Sequence, residues 1–245
     1  MTIALPARAK LNLDLEIIRR RQDGYHDLKT TMHEVELHDF LLITKATQTE
    51  LTISGLPTRH ENNSVLTAQK ALQQITGQDL NARFHLHKRI PPGSGMGGAS
   101  SNAAAAMMGV KALFNLDVDL AQIAKDVGAD VPFFLRGGTA RVEGLGERVT
   151  PLPTHQSWFA IAWPGIELST RAVYGAWDEV HGPDLRRAAE QVEPRLKDFA
   201  AMLGEGWQMT GSGSAFFKTA ATQNEAKVAI RGLDCWTTVT SSVDR

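Results

Sequence analysis

Apolar and polar residues alternate over 10–17, with Leu11, Leu13, Leu15 and Ile17 on one side and Lys10, Asn12, Asp14 and Glu16 on the other. This is the two-residue period of an amphipathic strand, and on pattern alone the four polar residues are its wet face. The stretch RRRQDGYHDL then supplies a charged turn around Asp23-Gly24, which leaves Tyr25 and His26 exposed, and HDFLLITKATQTELTISGLP predicts two further strands. The period changes in ENNSVLTAQKALQQITG, where an Asn cap precedes Val65, Leu66, Ala68, Ala71, Leu72 and Ile75 at helical spacing and Gly77 closes the helix. ARFHLHKRI alternates again and runs into Pro91-Pro92. Residues 100–114 have the composition of a helix, and LAQIAKDVGADVPFFLRGGTARVEG predicts a short helix, a turn at Gly128 and then strands. After GERVTPLP the pattern restarts with a strand WFAIAWPG, helices over 171–180 and 184–203, a strand GSAFFKTA, a helix NEAKVAIRG and a strand CWTTVTS. Adjacent strands mixed with helices predict an α+β fold with a domain boundary near 150–153.

Between the strand at 82–90 and the helix at 100–114 lies RIPPGSGMGGASSNAAAAMM. Gly93, Gly95 and Gly98 satisfy G-x-G-x-x-G, but two prolines precede the first glycine, and Asp117 follows a helix where a dinucleotide fold places its acid after a second strand. A Walker A loop is excluded because no Lys follows the glycines. Three readings stay open: the dinucleotide loop, which these features disfavour, a phosphate cradle built from loop and helix N–H groups with Ser94, Ser100 and Ser101 as added donors, or a flexible surface loop before an Ala-rich core helix.

Composition narrows the partners. Lys and Arg number 26 against 27 Asp and Glu, a net charge of −1, which removes a global basic field for nucleic acid and favours a small-molecule partner. A single cysteine, Cys235, excludes an internal disulfide framework and fits a reducing compartment. No window of about 18 consecutive apolar residues is present, and the N-terminal stretch is broken by Pro and charge, so the expectation is a soluble cytoplasmic protein with no membrane partner. His85 and His87 share a strand face without accompanying carboxylates or cysteines, which predicts a solvated face and no metal site.

Four segments in order, AKLNL, GSGMGGASSNA, GADVPFF and MTGSGSAFF, resemble the motifs of the GHMP kinase superfamily. DGYH, ENN, EGLGE and WPGIELST are similar to those of members whose acceptor carries a cytidine diphosphate group, and the likeness runs over 6–217. The resemblance implies an ATP-dependent small-molecule kinase working with Mg2+. It implies two domains, 1–150 for ATP and a shortened 151–245 for the acceptor, with the active site in the cleft between them.

By the same resemblance Pro91, Gly93, Ser94, Gly95, Met96, Gly97, Gly98, Ser100 and Ser101 take the triphosphate, Ser101 reaching phosphate or metal, and Asn63 and Lys88 lie near adenine and ribose. Asp130 would draw the proton from the acceptor hydroxyl; on spacing alone it is a turn residue capping local N–H groups. Lys10 would orient Asp130 and stabilise developing charge, and Asn12 would hold the acceptor. Tyr25 and His26 would recognise cytosine by stacking and hydrogen bonding, with Tyr174 closing the other side and Leu145 and Thr170 lining the same pocket. Without the resemblance, Tyr25 reads equally as an aromatic packed over a hairpin. Gly211 and Gly213 would steady the phosphate loop, or simply form a tight turn before SAFF. The metal ligands are not assigned.

Arg8 stands where the family has Pro, and Asp14, where an apolar residue is usual, faces the side of Lys10, where a pairing of the two would put the lysine's role in doubt. Pro183 and Arg186 replace two polar positions, and a few dozen residues are missing between Tyr174 and this segment. These departures keep open a kinase for another small alcohol and a non-catalytic nucleotide-binding paralogue.

Overall fold

A computed structural model describes residues 1–58 and 61–244. The chain forms two compact units that interleave along the sequence: Met1–Ala9, Leu37–Pro92 and Gly97–Gly137 in one, Lys10–Glu36, Gly93–Met96 and Gly138–Arg245 in the other. Two long strands, β1 (Thr2–Arg20) and β2 (His26–Lys45), contribute residues to both.

In the first unit the end of β2 pairs antiparallel with β4 (Ala82–Lys88), and β3 (Glu50–Gly55) lies parallel to β4 on its other side. Strict alternation sets β4: Ala82, Phe84 and Leu86 point into the core while Arg83, His85 and His87 face solvent. Removing a side chain such as Phe84 from water stabilises the fold by about 1.5–3 kcal/mol. The helices are α1 (Ser64–Thr76), α2 (Gly98–Phe114), α3 (Leu120–Val127) and α4 (Val131–Arg136). Asn63 caps α1 by accepting the Val65 N–H at 3.0 Å, and Gly77 ends it at φ 64°. Helix α2 is buried nearly all round, from Ser101 through Met107 and at Gly109 and Val110. Its run of alanines lets α1 and α4 pack closely against it.

The second unit is built on an antiparallel sheet in the order β10 (Trp236–Ser241), β7 (Trp158–Trp163), β9 (Phe216–Ala220), β8 (Gln208–Met209). Helices α5 (Thr170–Val180), α6 (Arg186–Val192), α7 (Arg195–Leu203) and α8 (Gln223–Ala229) share one apolar core with it, centred on Ala160, Ala162, Val173, Trp177, Leu196 and Phe216. Residues 28–33 of β2 pair with β5 (Thr139–Gly144), which forms a hairpin with β6 (Arg148–Leu152).

Three elements depart from the sequence expectation. The segment after Asp130 is helix α4, not strand, because Pro132 in its first turn presets a helical φ and lacks only an N–H that a helix start leaves unbonded. The helix expected over 184–203 breaks into α6 and α7 at Glu193-Pro194, since proline cannot continue the hydrogen-bond ladder. Strand β2 begins at His26, directly after a tight turn in which Gly24 (φ 83°) donates to the Arg21 carbonyl. No helix among the described residues is long and apolar enough to cross a membrane.

Candidate active site

In the first unit, β4 delivers the chain to the start of α2. Gly97 occupies the N-cap at φ 73°, and with no side chain it leaves the first N–H groups of the helix without a side-chain cap. No acidic residue sits in the first turn. A 17-residue helix that starts this way presents partial positive charge to an anion. Ser100 is half-buried and Ser101 buried; the buried Asn102 Oδ1 has no hydrogen-bond partner among the described residues.

Lys88 stands beside this helix start: a Cβ built on Gly98 would lie 3.3 Å from its Nζ. The ammonium is buried and paired with Asp39, whose other oxygen accepts the N–H groups of Arg89 (2.7 Å) and Ile90 (2.8 Å). Asp39 thus fixes the entry to the glycine stretch, and sequence reasoning missed it because its partners lie about 50 residues away.

Residues 93–96 belong with the second unit, where several segments lock them. Gly93 carbonyl accepts from Leu168 (3.1 Å) and Ser214 (3.3 Å), Ser94 carbonyl from Ala215 (3.0 Å), and Met96 carbonyl from the Lys10 backbone (3.0 Å). The space a side chain would need is taken by the protein's own backbone. At Gly95, φ 78°, a Cβ would be driven into the Thr210 carbonyl oxygen and would lie 2.9 Å from the Gly213 nitrogen; at Gly93 it would lie 2.8 Å from Glu167 Cα. A Cβ on Gly211 would lie 2.9 Å from both the Gly95 carbonyl oxygen and Lys10 Nζ. Gly213 is equally confined, its Cβ position 2.7 Å from Met209 Sδ.

Lys10 and Asn12 are not a wet face. They are 3 % and 4 % exposed, because β1 is covered on both sides over this stretch. Lys10 Nζ donates to Asn12 Oδ1 and to the Gly95 carbonyl (2.6 Å). Asn12 Nδ2 donates to Thr30 Oγ1 (2.9 Å), and the Asn12 backbone N–H to Thr210 Oγ1 (3.0 Å). Asp14 does not pair with Lys10: its carboxylate accepts from the Thr31 N–H and hydroxyl and faces Arg141 at 3.4 Å. Cross-strand neighbours on β2 and β5 satisfy it, and the lysine is left to the glycine loop.

Asp130 lies in the first unit, half-buried at the N-cap of α4. Its carboxylate caps none of the N–H groups of that helix, so the turn-capping role that spacing favours is not the one it plays.

His26 is buried, not exposed as its turn position implies, while Tyr25 beside it is 65 % exposed. The imidazole Nε2 donates to Asp178 Oδ1 at 2.7 Å, and the ring meets Tyr174 (5.2 Å, tilted) and Trp177 (5.5 Å, edge-on). Tyr174, Trp177 and Asp178 sit on one face of α5, at the i, i+3, i+4 spacing of a helix. That spacing was the available signal for Trp177 and Asp178, which sequence reasoning missed. Thr170, at the start of α5, exchanges a 3.0 Å hydrogen bond with Ser212 in the second glycine turn. Half-buried Leu145, in the β5–β6 turn, donates its backbone N–H to Glu147 at 2.6 Å.

The GHMP kinases N terminal domain matches residues 63–138, which hold the glycine stretch and Asp130. A curated relative from Thermus thermophilus, 4-diphosphocytidyl-2-C-methyl-D-erythritol kinase, is 36% identical over an alignment that covers 94% of this chain and 92% of that protein. The chain belongs to that kinase family. A relative of the same name from Chromohalobacter salexigens is 35% identical over 84% of this chain and 69% of its own length. A crystal structure of 4-(cytidine 5'-diphospho)-2C-methyl-D-erythritol kinase superposes with a TM-score of 0.85 at 32% identity, covering 99% of this chain and 100% of the other. The α+β fold is therefore that of the family.

Proposed function

We propose that the protein is an ATP-dependent kinase that phosphorylates the 2-hydroxyl of 4-diphosphocytidyl-2-C-methyl-D-erythritol, a step of non-mevalonate isoprenoid-precursor biosynthesis in the cytoplasm. The observation that carries this reading is identity of 36% sustained over 92% of the Thermus thermophilus enzyme of that name.

Phosphoryl transfer asks a protein mainly for positioning and charge stabilisation. Asp130 takes the proton from the acceptor hydroxyl as its oxygen bonds to the γ-phosphorus, and the bond from that phosphorus to the β-phosphate oxygen breaks to release ADP. Its carboxylate is not spent on helix capping, which leaves it free for this work. The start of α2, with Gly97, Gly98, Ser100 and Ser101, holds the β- and γ-phosphates, and Ser94 and Met96 shape the loop that leads to it. Lys10 offsets the negative charge of the transferred group while anchoring the Gly95 carbonyl. Asn12 holds the acceptor, and Tyr25, His26, Tyr174, Leu145 and Thr170 form the pocket for its cytosine end. Asn63, Pro91 and Lys88 border the adenosine. Residues 1–150 serve chiefly ATP and 151–245 chiefly the acceptor, with 10–36 adding acceptor residues to the second set.

Among the described residues no group of three His, Cys, Asp or Glu side chains is placed to hold a metal ion. Magnesium carried on the nucleotide takes most of its oxygens from phosphate and water and needs only one or two from protein. Ser101 is the protein oxygen that would complete it, and the ion would offset phosphate charge.

The test is turnover of purified protein with ATP, magnesium and 4-diphosphocytidyl-2-C-methyl-D-erythritol, read as ADP and a product heavier by one phosphate. ADP formation that depends on this acceptor is the expected result. Tight ATP binding with no acceptor-dependent product would sink the reading.

A further inference from the structure

The His26 ring is held from one side by three groups on a single face of α5: the Tyr174 ring, the Trp177 edge and the Asp178 carboxylate. Asp178 Oδ1 receives Nε2 at 2.7 Å, and its second oxygen meets Arg20 Nε at 3.3 Å. A carboxylate offers Nε2 only acceptor oxygens, so Nε2 is the nitrogen that donates. A neutral imidazole has one donor and one acceptor nitrogen. Once Nε2 donates to Asp178, Nδ1 presents a lone pair, and this atom has no hydrogen-bond partner among the described residues.

We infer that Asp178 is a specificity-determining positioning residue: by holding His26 in the Nε2–H form, it makes Nδ1 an acceptor and tunes the pocket to a pyrimidine bearing an exocyclic amine. The inference rests on the proposed base-binding role of His26. Cytosine offers an amino donor at position 4 where uracil offers a carbonyl oxygen. An Nδ1 lone pair attracts the first and repels the second. Sites built on one buried hydrogen bond discriminate strongly against a ligand that cannot make it. Arg20 steadies the carboxylate, and the flanking rings keep the imidazole from turning over.

The experiment has two arms, run on the whole protein. Long-range proton–nitrogen NMR of the nitrogen-15-labelled free protein at neutral pH reads the His26 tautomer without any ligand. Calorimetry then gives the Kd of CDP and of UDP for the wild type, Asp178→Ala and Asp178→Asn, with thermal melts to confirm that each is folded. We expect a neutral Nε2–H ring and a preference for CDP in the wild type. Asp178→Ala should weaken CDP about 10-fold to 100-fold, taking as the guide the loss found when a partner that orients a metal-ligating histidine is removed, with much less change for UDP. Asp178→Asn, whose side-chain oxygen still accepts from Nε2, should recover most of the preference. With turnover, the Ala variant should raise KM for the acceptor more than it lowers kcat.

A wild-type ring protonated on Nδ1, or on both nitrogens, overturns the inference. An unchanged ratio of CDP to UDP affinity in Asp178→Ala does the same. A locked ring with no CDP preference also refutes it, while kinase turnover on the 2-hydroxyl acceptor, measured separately, decides the proposed function by itself.

Discussion

Replacing Gly95 by alanine tests whether the glycine loop is shaped by the protein's own backbone. Two costs add at this position. The φ of 78° is left-handed, which costs an L-residue about 1–2 kcal/mol. The new Cβ would also enter the Thr210 carbonyl and crowd the Gly213 nitrogen, both backbone atoms that no rotamer change can move. To relieve the overlap the loop must part from 210–215 and give up the bonds of Ala215 to Ser94 and Ser214 to Gly93. At about 0.5–1.5 kcal/mol net for each bond, the total rises to about 2–5 kcal/mol. Gly77→Ala is the control, because it has a φ of 64° and nothing within 4 Å of its Cβ position, so it carries the left-handed cost alone. For a chain of this size 1 kcal/mol moves Tm by about 2–4 °C, so the control should lose about 2–8 °C and Gly95→Ala clearly more. ATP affinity should fall only for Gly95→Ala. Equal melting shifts for the two variants, with ATP binding intact in both, would refute the argument that backbone crowding fixes this loop.

Asp130→Asn should lower kcat by about 10²–10⁴, the range for losing a general base, while leaving Tm nearly unchanged because the carboxylate caps no helix N–H; paired kinetics and melts check this. Asp39→Ala strips a buried partner from Lys88 and an acceptor from two backbone N–H groups, and should cost about 3–5 kcal/mol by urea denaturation. Burial, with His155 nearby, depresses the His33 pKa below its ordinary 6.5, so the unfolded chain binds the proton first as pH falls. The contribution of His33 to stability is thus complete above pH 6.5 and declines below it, by at most about 1.4 kcal/mol per pH unit. His33→Gln should flatten the fall in stability on the acid side of 6.5; an unaltered slope would remove His33 as its source.

Local pattern carried most of the elements. The alternation in 82–88, the Asn63 cap and the Gly77 stop each depend on neighbours within a few residues, and the structure has all three where the pattern puts them. Errors arose where the deciding partner is distant in sequence. Alternation puts Lys10 and Asn12 opposite Leu11, but it cannot say that a second face is also covered; that cover comes from Gly95, Thr210 and Gly211. His26 reads as a turn residue until Asp178, 152 positions later, is brought to it. The glycine stretch shows the same limit from the other direction. Its composition announces that something approaches the backbone closely, and a ligand is the obvious candidate. At Gly93 and Gly95 the approaching groups are Glu167, Thr210 and Gly213, so these glycines are fixed by the packing of loops. Only from Gly97 onward does the stretch present uncapped N–H groups to an anion. A single motif therefore serves two physical demands, and substitutions should separate them: side chains at 93 or 95 disturb the loop before any ligand arrives, whereas changes at Ser100 or Ser101 should leave the fold intact and show only when nucleotide is added.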